Sequence, residues 1–199
     1  MVSISYFPTL HPLGFLMNKK QLRSTLLKQR ESLCEEVWRA KSDRICYHLQ
    51  SLSLFTEAKT ILAYCSFRQE PDLTPLFNSS KTWGLPRCVG KSLVWHHFQS
   101  GDILQQDKYG IFSPDPDSPQ IESQDVDLIL VPTVACDRSY YRLGYGGGFY
   151  DRLLSSPQWE NKPTIGIVFD FALVEQLPVD DWDQPLRGIC TEKEVDVNF

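Results

Sequence analysis

Residues 127–152 read DLILVPTVACDRSYYRLGYGGGFYDR. The run at 127–132 is the most apolar of the chain, and an unbroken apolar run of that length predicts a strand buried on both faces. Gly144, Gly146, Gly147 and Gly148 follow closely, ahead of a helix expected from about 149 to 155. Glycines there permit positive φ and bring backbone N–H groups close to an anion, and the helix behind them turns its positive end to the same point. Arg142 suits a bidentate contact to phosphate. Asp151, in the first turn of the helix, suits a hydrated magnesium ion beside it. A purely structural turn fits the glycines as well, and by themselves they leave both readings open. Their spacing is neither the Rossmann fingerprint nor the Walker loop. Gly90-Lys91-Ser92 imitates the end of a Walker loop, yet that motif needs a glycine where Leu85 stands, so a β-turn joining strands at 85–89 and 92–98 is expected.

Toward the N-terminus, residues 18–31 predict a helix capped by Asn18, with Leu22, Leu26 and Leu27 as its apolar stripe. Residues 32–35 have the S-x-x-E form of a capping box, which predicts a second helix over about 34–52 with Val37, Ile45, Leu49 and Leu52 inward. Residues 60–66 (TILAYCS) read as a buried strand, and 71–77 as a helix opening at Asp72 and Pro75. Residues 113–125 read as a proline-rich acidic loop and 163–169 as a further strand. His96 and His97 are neighbours on a strand, so one is expected to be buried and satisfied and the other exposed. Alternating strands and helices predict an α/β fold, with a mainly parallel central sheet, in a single domain over 17–199.

At 199 residues, with 42% hydrophobic and 23% charged, the chain can bury a core without staples. A net charge of −5 disfavours a nucleic-acid groove, which needs clustered Lys and Arg, but leaves room for a small basic pocket. The six cysteines show no C-x-x-C or zinc-type spacing, which predicts free thiols in a reducing compartment. No run reaches the ~18 apolar residues of a membrane span. Residues 1–16 carry Pro8, Pro12 and Gly14 and lack both a basic start and any Arg, unlike a secretory or mitochondrial leader. They are expected to be a disordered extension or a misassigned start, with Met17 as the alternative first residue. Nothing marks an exposed apolar seam, and a cytoplasmic monomer with neither membrane nor nucleic-acid partner is expected.

Residues 131–152 taken whole resemble the signature of the 5-formyltetrahydrofolate cyclo-ligases, in which a strand ending VP leads to RLGYGGGYYDR. The segment from Lys19 to Arg23 resembles that family's K-x-x-L-R, and Tyr64 to Glu70 followed by Pro71 its strand ending in an acidic turn. Leu85-Pro86-Arg87, Gly110-Ile111, Leu177-Pro178, Asp183, Thr191 and Glu192 follow in family order, so the likeness spans about 18–193. It implies a three-layer α/β/α sandwich that cyclises 5-formyltetrahydrofolate to 5,10-methenyltetrahydrofolate, using ATP as co-substrate and Mg2+ as cofactor. Carried over by position, Lys19, Lys20, Gln21, Leu22 and Arg23 would bind ATP, together with Arg142, Leu143, Gly144, Tyr145, Gly146, Gly147, Gly148, Phe149 and Tyr150. Arg142 and Lys19 would be the catalytic cations. Cys65 and Glu70 would bind the folate, with Tyr145, Gly146, Gly147, Gly148 and Phe149 facing it. Asp151 and Asp183 would hold the metal, with Asp180 and Asp181 as neighbours of the same kind.

Read without the resemblance, Lys19 and Arg23 are one helical turn apart and equally suit a solvated helix face, and Glu70 equally suits a plain turn. The sequence also departs from the family pattern. Cys136 and Tyr140 stand where Phe and Gly are usual, and a local change of turn is expected at Tyr140, where positive φ would strain a tyrosine. Leu73, Ser113 and Arg187 also replace commoner residues. A non-catalytic folate- or nucleotide-binding regulator on the same scaffold is the alternative; a sugar-phosphate isomerase or CoA-transferase-like enzyme would need no ATP.

Overall fold

The computed structural model describes residues 17–108 and 110–198; the expectation for residues 1–16 lies outside them. Helix α1 (Lys19–Glu31) opens at Asn18. The Asn18 side chain accepts from the Gln21 N–H, and the Gln21 side chain accepts in return from the Asn18 N–H. This reciprocal cap satisfies donors that the first turn leaves free. Leu22, Leu26 and Leu27 are buried as predicted, and Arg30 is buried with them.

Ser32 closes α1 and does not open the next helix, because its hydroxyl donates to the Gln29 carbonyl. The capping box expected at 32–35 is therefore not formed, and α2 (Glu35–Gln50) starts at Cys34 without a side-chain cap. A serine hydroxyl engaged with the preceding turn is not available to reach forward. The inner face of α2 is Ser42, Ile45, Cys46 and Leu49. Val37, expected inside, is 42% exposed, and Leu52 lies beyond the helix end, half-buried. A short helix α3 (Ser53–Glu57) follows.

The remaining elements, in chain order, are β1 (Thr60–Leu62), β2 (Thr82–Val89), β3 (Ser92–Phe98), β4 (Gln105–Gln106), β5 (Phe112–Ser113), β6 (Leu128–Pro132), β7 (Ala135–Asp137), β8 (Arg142–Leu143), α4 (Phe149–Leu154), β9 (Thr164–Ile167), β10 (Leu173–Val174), β11 (Gly188–Cys190) and β12 (Val195–Val197). The main sheet has the order β12-β11-β9-β6-β1-β2-β3. Its interior pairings are parallel, and the outermost strand at each edge is antiparallel. As the apolar run predicts, β6 sits at the centre. Its alternation serves two cores: Ile129 and Val131 pack with Leu22 and Leu26 of α1 and Leu153 of α4. Leu128 and Leu130 pack with Ile45 and Leu49 of α2. Helices therefore cover both faces, giving the expected three-layer α/β/α sandwich.

Several local expectations are sharpened. Only residues 60–62 of the predicted strand at 60–66 pair, and the segment at 71–77 forms a 3-10 turn over Thr74–Asn78 instead of an α-helix. The acidic loop begins with the last residue of β5 and includes a 3-10 turn at Ser123–Asp125. Gly90, at φ +62°, turns the β2–β3 hairpin, so the Gly-Lys-Ser triplet is the turn that the sequence predicts. His96 is buried against the Ser118 carbonyl at 2.7 Å while His97 is exposed. Tyr140 takes φ +67° itself, so the turn does not avoid the left-handed conformation. Asp137 braces that turn by accepting from the N–H groups of Ser139 and Tyr141, and the Tyr140 N–H donates to the Asp137 carbonyl at 3.0 Å. A non-glycine residue there costs about 1–3 kcal/mol, which this bracing offsets.

Candidate active site

Parallel strands β1 and β6 both run out at the same edge of the sheet, where open α/β sheets commonly bind ligands. A cleft of about 580 Å³ opens there, lined by Tyr64 and Cys65 after β1, Pro132 at the end of β6 and the glycine loop after β8. One face of α1 also borders it. Lys19 and Arg23 line it, four residues apart.

The cationic end is built around the glycine loop. Gly146 (φ +97°) bends the chain over the Arg23 guanidinium, and Arg23 Nε donates to the Gly144 carbonyl at 2.7 Å. A Cβ on Gly147 would stand 2.9 Å from the Phe149 ring, so the backbone comes close to the cleft without side-chain bulk. Helix α4 runs to Leu154 with Ser155 as its C-cap, as expected, and is capped at its start by Gly148 in the left-handed conformation. Arg142 is nearly buried and donates to Asp151 Oδ1 at 2.8 Å, while its Nε is buried with no hydrogen-bond partner. Its guanidinium lies 5.5 Å from the centre of the Tyr150 ring, whose buried hydroxyl also lacks a partner. Lys19 Nζ reaches Asp180 Oδ2 at 2.6 Å and Asp183 Oδ2 at 2.5 Å. Burial opposes the charge of Lys19, but the two carboxylates outweigh it and hold the ammonium above the usual lysine value. Asp151 also accepts from the Gln184 N–H at 3.4 Å, which ties α4 to the segment carrying Asp180 and Asp183. Among the described residues, no three His, Cys, Asp or Glu side chains form a metal-holding cluster.

The opposite end is built around Glu70. Arg68 (φ +49°) and Gln69 (φ +54°) are two consecutive left-handed non-glycine residues, and the Glu70 N–H returns to the Phe67 carbonyl at 3.1 Å. This is a type I′ turn without glycine, which costs about 1–2 kcal/mol per residue. Arg68 pairs with Glu31, and Gln69 Nε2 donates to the Leu33 carbonyl at 3.1 Å, so contacts to the α1–α2 junction hold the turn. The turn buries Glu70. One carboxylate oxygen accepts from the Phe67 N–H at 3.0 Å and the other makes no hydrogen bond. Burial pushes the Glu70 carboxyl up to about 7, against the pull of Arg30, the Phe67 N–H and the nearby Tyr145 hydroxyl. The Phe67 and Tyr145 rings lie 6.0 Å apart beside it. Burial also pushes the Cys65 thiol up to about 12, making it a neutral wall of the cleft.

The cleft thus brings together Lys19, Arg23, Cys65, Glu70, Asp183 and the whole segment from Arg142 to Asp151, as expected for a site. Three expected residues do not line it. Lys20 and Gln21 are exposed on the other side of α1, Gln21 serving the cap, and Leu22 belongs to the core. The 3.6-residue period of a helix allows only every third or fourth residue of that segment to face the cleft. Asp180 joins Asp183 at the cleft wall, and Asp181 does not. Phe67 and Trp182 line it without having been expected, and Arg30 lies buried behind it, against the 67–70 turn and Tyr145. Arg30 had a sequence signal, since it follows Lys19 and Arg23 on the same helical face and would have to lie within the apolar stripe. Trp182, 67% exposed at the cleft, follows Asp181 in an acidic segment and had none.

With this geometry established, the chain matches the 5-formyltetrahydrofolate cyclo-ligase family over residues 16–192. It is 30% identical to the 5-formyltetrahydrofolate cyclo-ligase of Haemophilus influenzae, over 86% of this chain and 96% of that one. It is 29% identical to that of Escherichia coli K12, over 84% and 97% respectively. Among solved structures, the Aquifex aeolicus 5,10-methenyltetrahydrofolate synthetase superimposes with a TM-score of 0.80 at 36% identity, covering 91% of this chain and 93% of that one.

Proposed function

The chain belongs to the 5-formyltetrahydrofolate cyclo-ligase family, and from that premise we propose that it closes 5-formyltetrahydrofolate to 5,10-methenyltetrahydrofolate as ATP becomes ADP and phosphate. The observation that carries this reading is one continuous cleft with a cationic, glycine-lined end and a buried-carboxylate end. The first suits a nucleotide's phosphates and the second a flat heterocycle with N–H donors.

The formyl oxygen is a poor leaving group until the terminal phosphoryl of ATP is transferred to it. The neighbouring anilino nitrogen then attacks the activated carbon and phosphate departs with the oxygen. Phosphoryl transfer asks the protein mainly for positioning and charge neutralisation. Lys19 and Arg142 would supply the two cations and Arg23 would hold the glycine loop in shape; backbone N–H groups from 144 to 150 would face the phosphates. Asp151 and Asp183 fit magnesium in their chemistry, since the ion binds through one or two carboxylates with water and substrate phosphates. When bound it neutralises phosphate charge. At the other end, Glu70 would accept two N–H bonds from the aminopyrimidine edge of the pterin. Tyr145 and Phe149 would lie against the folate, with the Cys65 thiol as an apolar wall.

We further read the enzyme as a cytoplasmic monomer acting on small molecules alone. The free state of all six cysteines supports a reducing compartment. The test is absorbance of the methenyl chromophore after mixing protein, 5-formyltetrahydrofolate, magnesium and ATP. A rise that requires ATP and is lost in Arg142→Ala is expected. No rise with folate still bound would point to a non-catalytic folate-binding regulator.

A further inference from the structure

We propose that Arg30 is a positioning residue for the folate end of the cleft, fastening the 67–70 turn and Tyr145 to α1 and setting a permanent positive charge against Glu70. The inference rests on the reading of Glu70 as the partner of the pterin. Arg30 is 3% exposed, although it sits on a helix whose other cations reach solvent or the cleft. Its guanidinium touches three separate segments. Nε donates to the Arg68 carbonyl at 2.9 Å, Nη1 to the Thr133 carbonyl at 3.4 Å just beyond β6, and Nη2 to the Tyr145 hydroxyl. Nη1 also stands 4.0 Å from Glu70 Oε1, the carboxylate oxygen that makes no hydrogen bond. A planar guanidinium spreads its donors over three nitrogens and so reaches three separated acceptors at once, whereas the three donors of a lysine ammonium share one nitrogen and do not span them.

The arrangement explains why a glycine-free left-handed turn persists at 68–69. Its carbonyl is held by Arg30 from α1, and the Glu70 carbonyl accepts from Trp38 Nε1 and Ser66 Oγ, both at 2.8 Å. The turn therefore presents Glu70 to the cleft at one fixed point. The groups that face Glu70 are Arg30 from α1, Tyr64 and Cys65 after β1, and Tyr145 and Tyr150 from the glycine loop and α4. Burial raises the phenols and the thiol above their usual values, so around neutral pH they are uncharged and Arg30 is the charge that favours the carboxylate. A carboxylate accepts two N–H bonds from a pterin edge, whereas a protonated carboxyl loses one acceptor.

Steady-state kinetics of methenyl formation across a pH series around 7 tests this in Arg30→Met, Arg30→Lys and Glu70→Gln. In Arg30→Met the folate KM is expected to rise about ten- to a hundredfold, the loss of a charged buried hydrogen bond, while the KM for MgATP stays within about twofold. The pH below which folate binding weakens should move upward, because Glu70 takes up its proton more readily without Arg30. Arg30→Lys should restore much of that pH midpoint but little of the KM, since it keeps the charge and loses the three-way fork. A wild-type folate KM and pH midpoint in Arg30→Met overturns the inference. So does an equal loss of folate affinity, MgATP affinity and melting temperature with no shift in midpoint, which marks a purely structural arginine. If Arg30→Met does not fold, Arg30→Lys decides alone: an unchanged folate KM overturns the inference. Glu70→Gln separates the two layers of the argument. If it leaves folate KM and pH profile as in the wild type, the reading of Glu70 fails and the inference falls with it; if it removes the pH dependence, that reading stands whatever Arg30 does.

Discussion

Arg142 and Asp151, nine residues apart, meet in a 2.8 Å hydrogen-bonded ion pair inside the cleft, with the arginine side chain almost fully buried. A cation proposed for phosphate and a carboxylate proposed for magnesium are thus each other's partners. On the proposed function, binding would exchange these partners.

Arg142→Ala is expected to lower kcat roughly a hundred- to a thousandfold, the cost of removing one donor aimed at developing charge. Folate affinity, measured by equilibrium binding without ATP, should stay near wild type, because Glu70 lies at the other end. The Arg142→Ala, Asp151→Ala double variant should lose less than the sum of the singles, since the pair is in direct contact.

Lys19 is paired in the same way with Asp180 and Asp183. Calorimetric titration of Lys19→Ala is expected to show MgATP weakened about tenfold or more. Asp180→Asn should tighten metal-free ATP by about two- to fivefold, because Asp180 is a half-exposed competitor for the ammonium and such pairs are worth little. Asp180→Asn binding metal-free ATP no better than wild type would show that Lys19 is not held back by this pair.

The buried carboxyl of Glu70 links stability to pH. Its value rises from the ordinary 4.5 to about 7, so between these values the folded state holds a proton that the unfolded state has lost. Unfolding free energy therefore falls as pH rises through that window. The penalty is absent below about 4.5 and complete above about 7. It amounts to about 3 kcal/mol as an order of magnitude. Urea denaturation at a series of pH values should show this loss in wild type and a flatter profile in Glu70→Gln.

Gly84 of β2 faces the core, where an added Cβ would stand 2.4 Å from Leu62 Cδ2 and 2.8 Å from Ile121 Cδ1. Both neighbours are buried, so neither has free space to retreat into. Gly84→Ala is expected to destabilise the fold by about 1–3 kcal/mol through overpacking. Thermal denaturation measures it, and an unchanged melting temperature would mean that the β1–β2 seam adapts more freely than its packing indicates.

Much of the architecture was legible because its signals are local. Asn18 and Gln21 cap α1 through neighbours three residues apart, Gly90 marks a hairpin, and the unbroken apolar run at 127–132 reads as an interior strand. The errors were local competitions as well. Ser32 could serve the helix before it or the helix after it, and the S-x-x-E pattern does not say which. Tyr140 was expected to escape a left-handed turn, yet Asp137 makes that conformation tenable through bonds that become visible only when the loop is folded.

By itself the sequence determined the layered α/β fold and the family, and it singled out the segment from Arg142 to Asp151, which lines the cleft. Contiguous residues carry those signals, and they survive in one dimension. Which side chains act together was decided by tertiary structure alone. Lys19 finds Asp180 across 161 positions and Asp183 across 164, and Arg30 bonds Tyr145 across 115. Lys20 and Leu22 sit beside Lys19 in sequence yet turn away from the cleft. A helix distributes neighbouring residues around its axis, and a parallel sheet brings distant segments to one edge, so proximity at the cleft follows the fold and not the order of the chain.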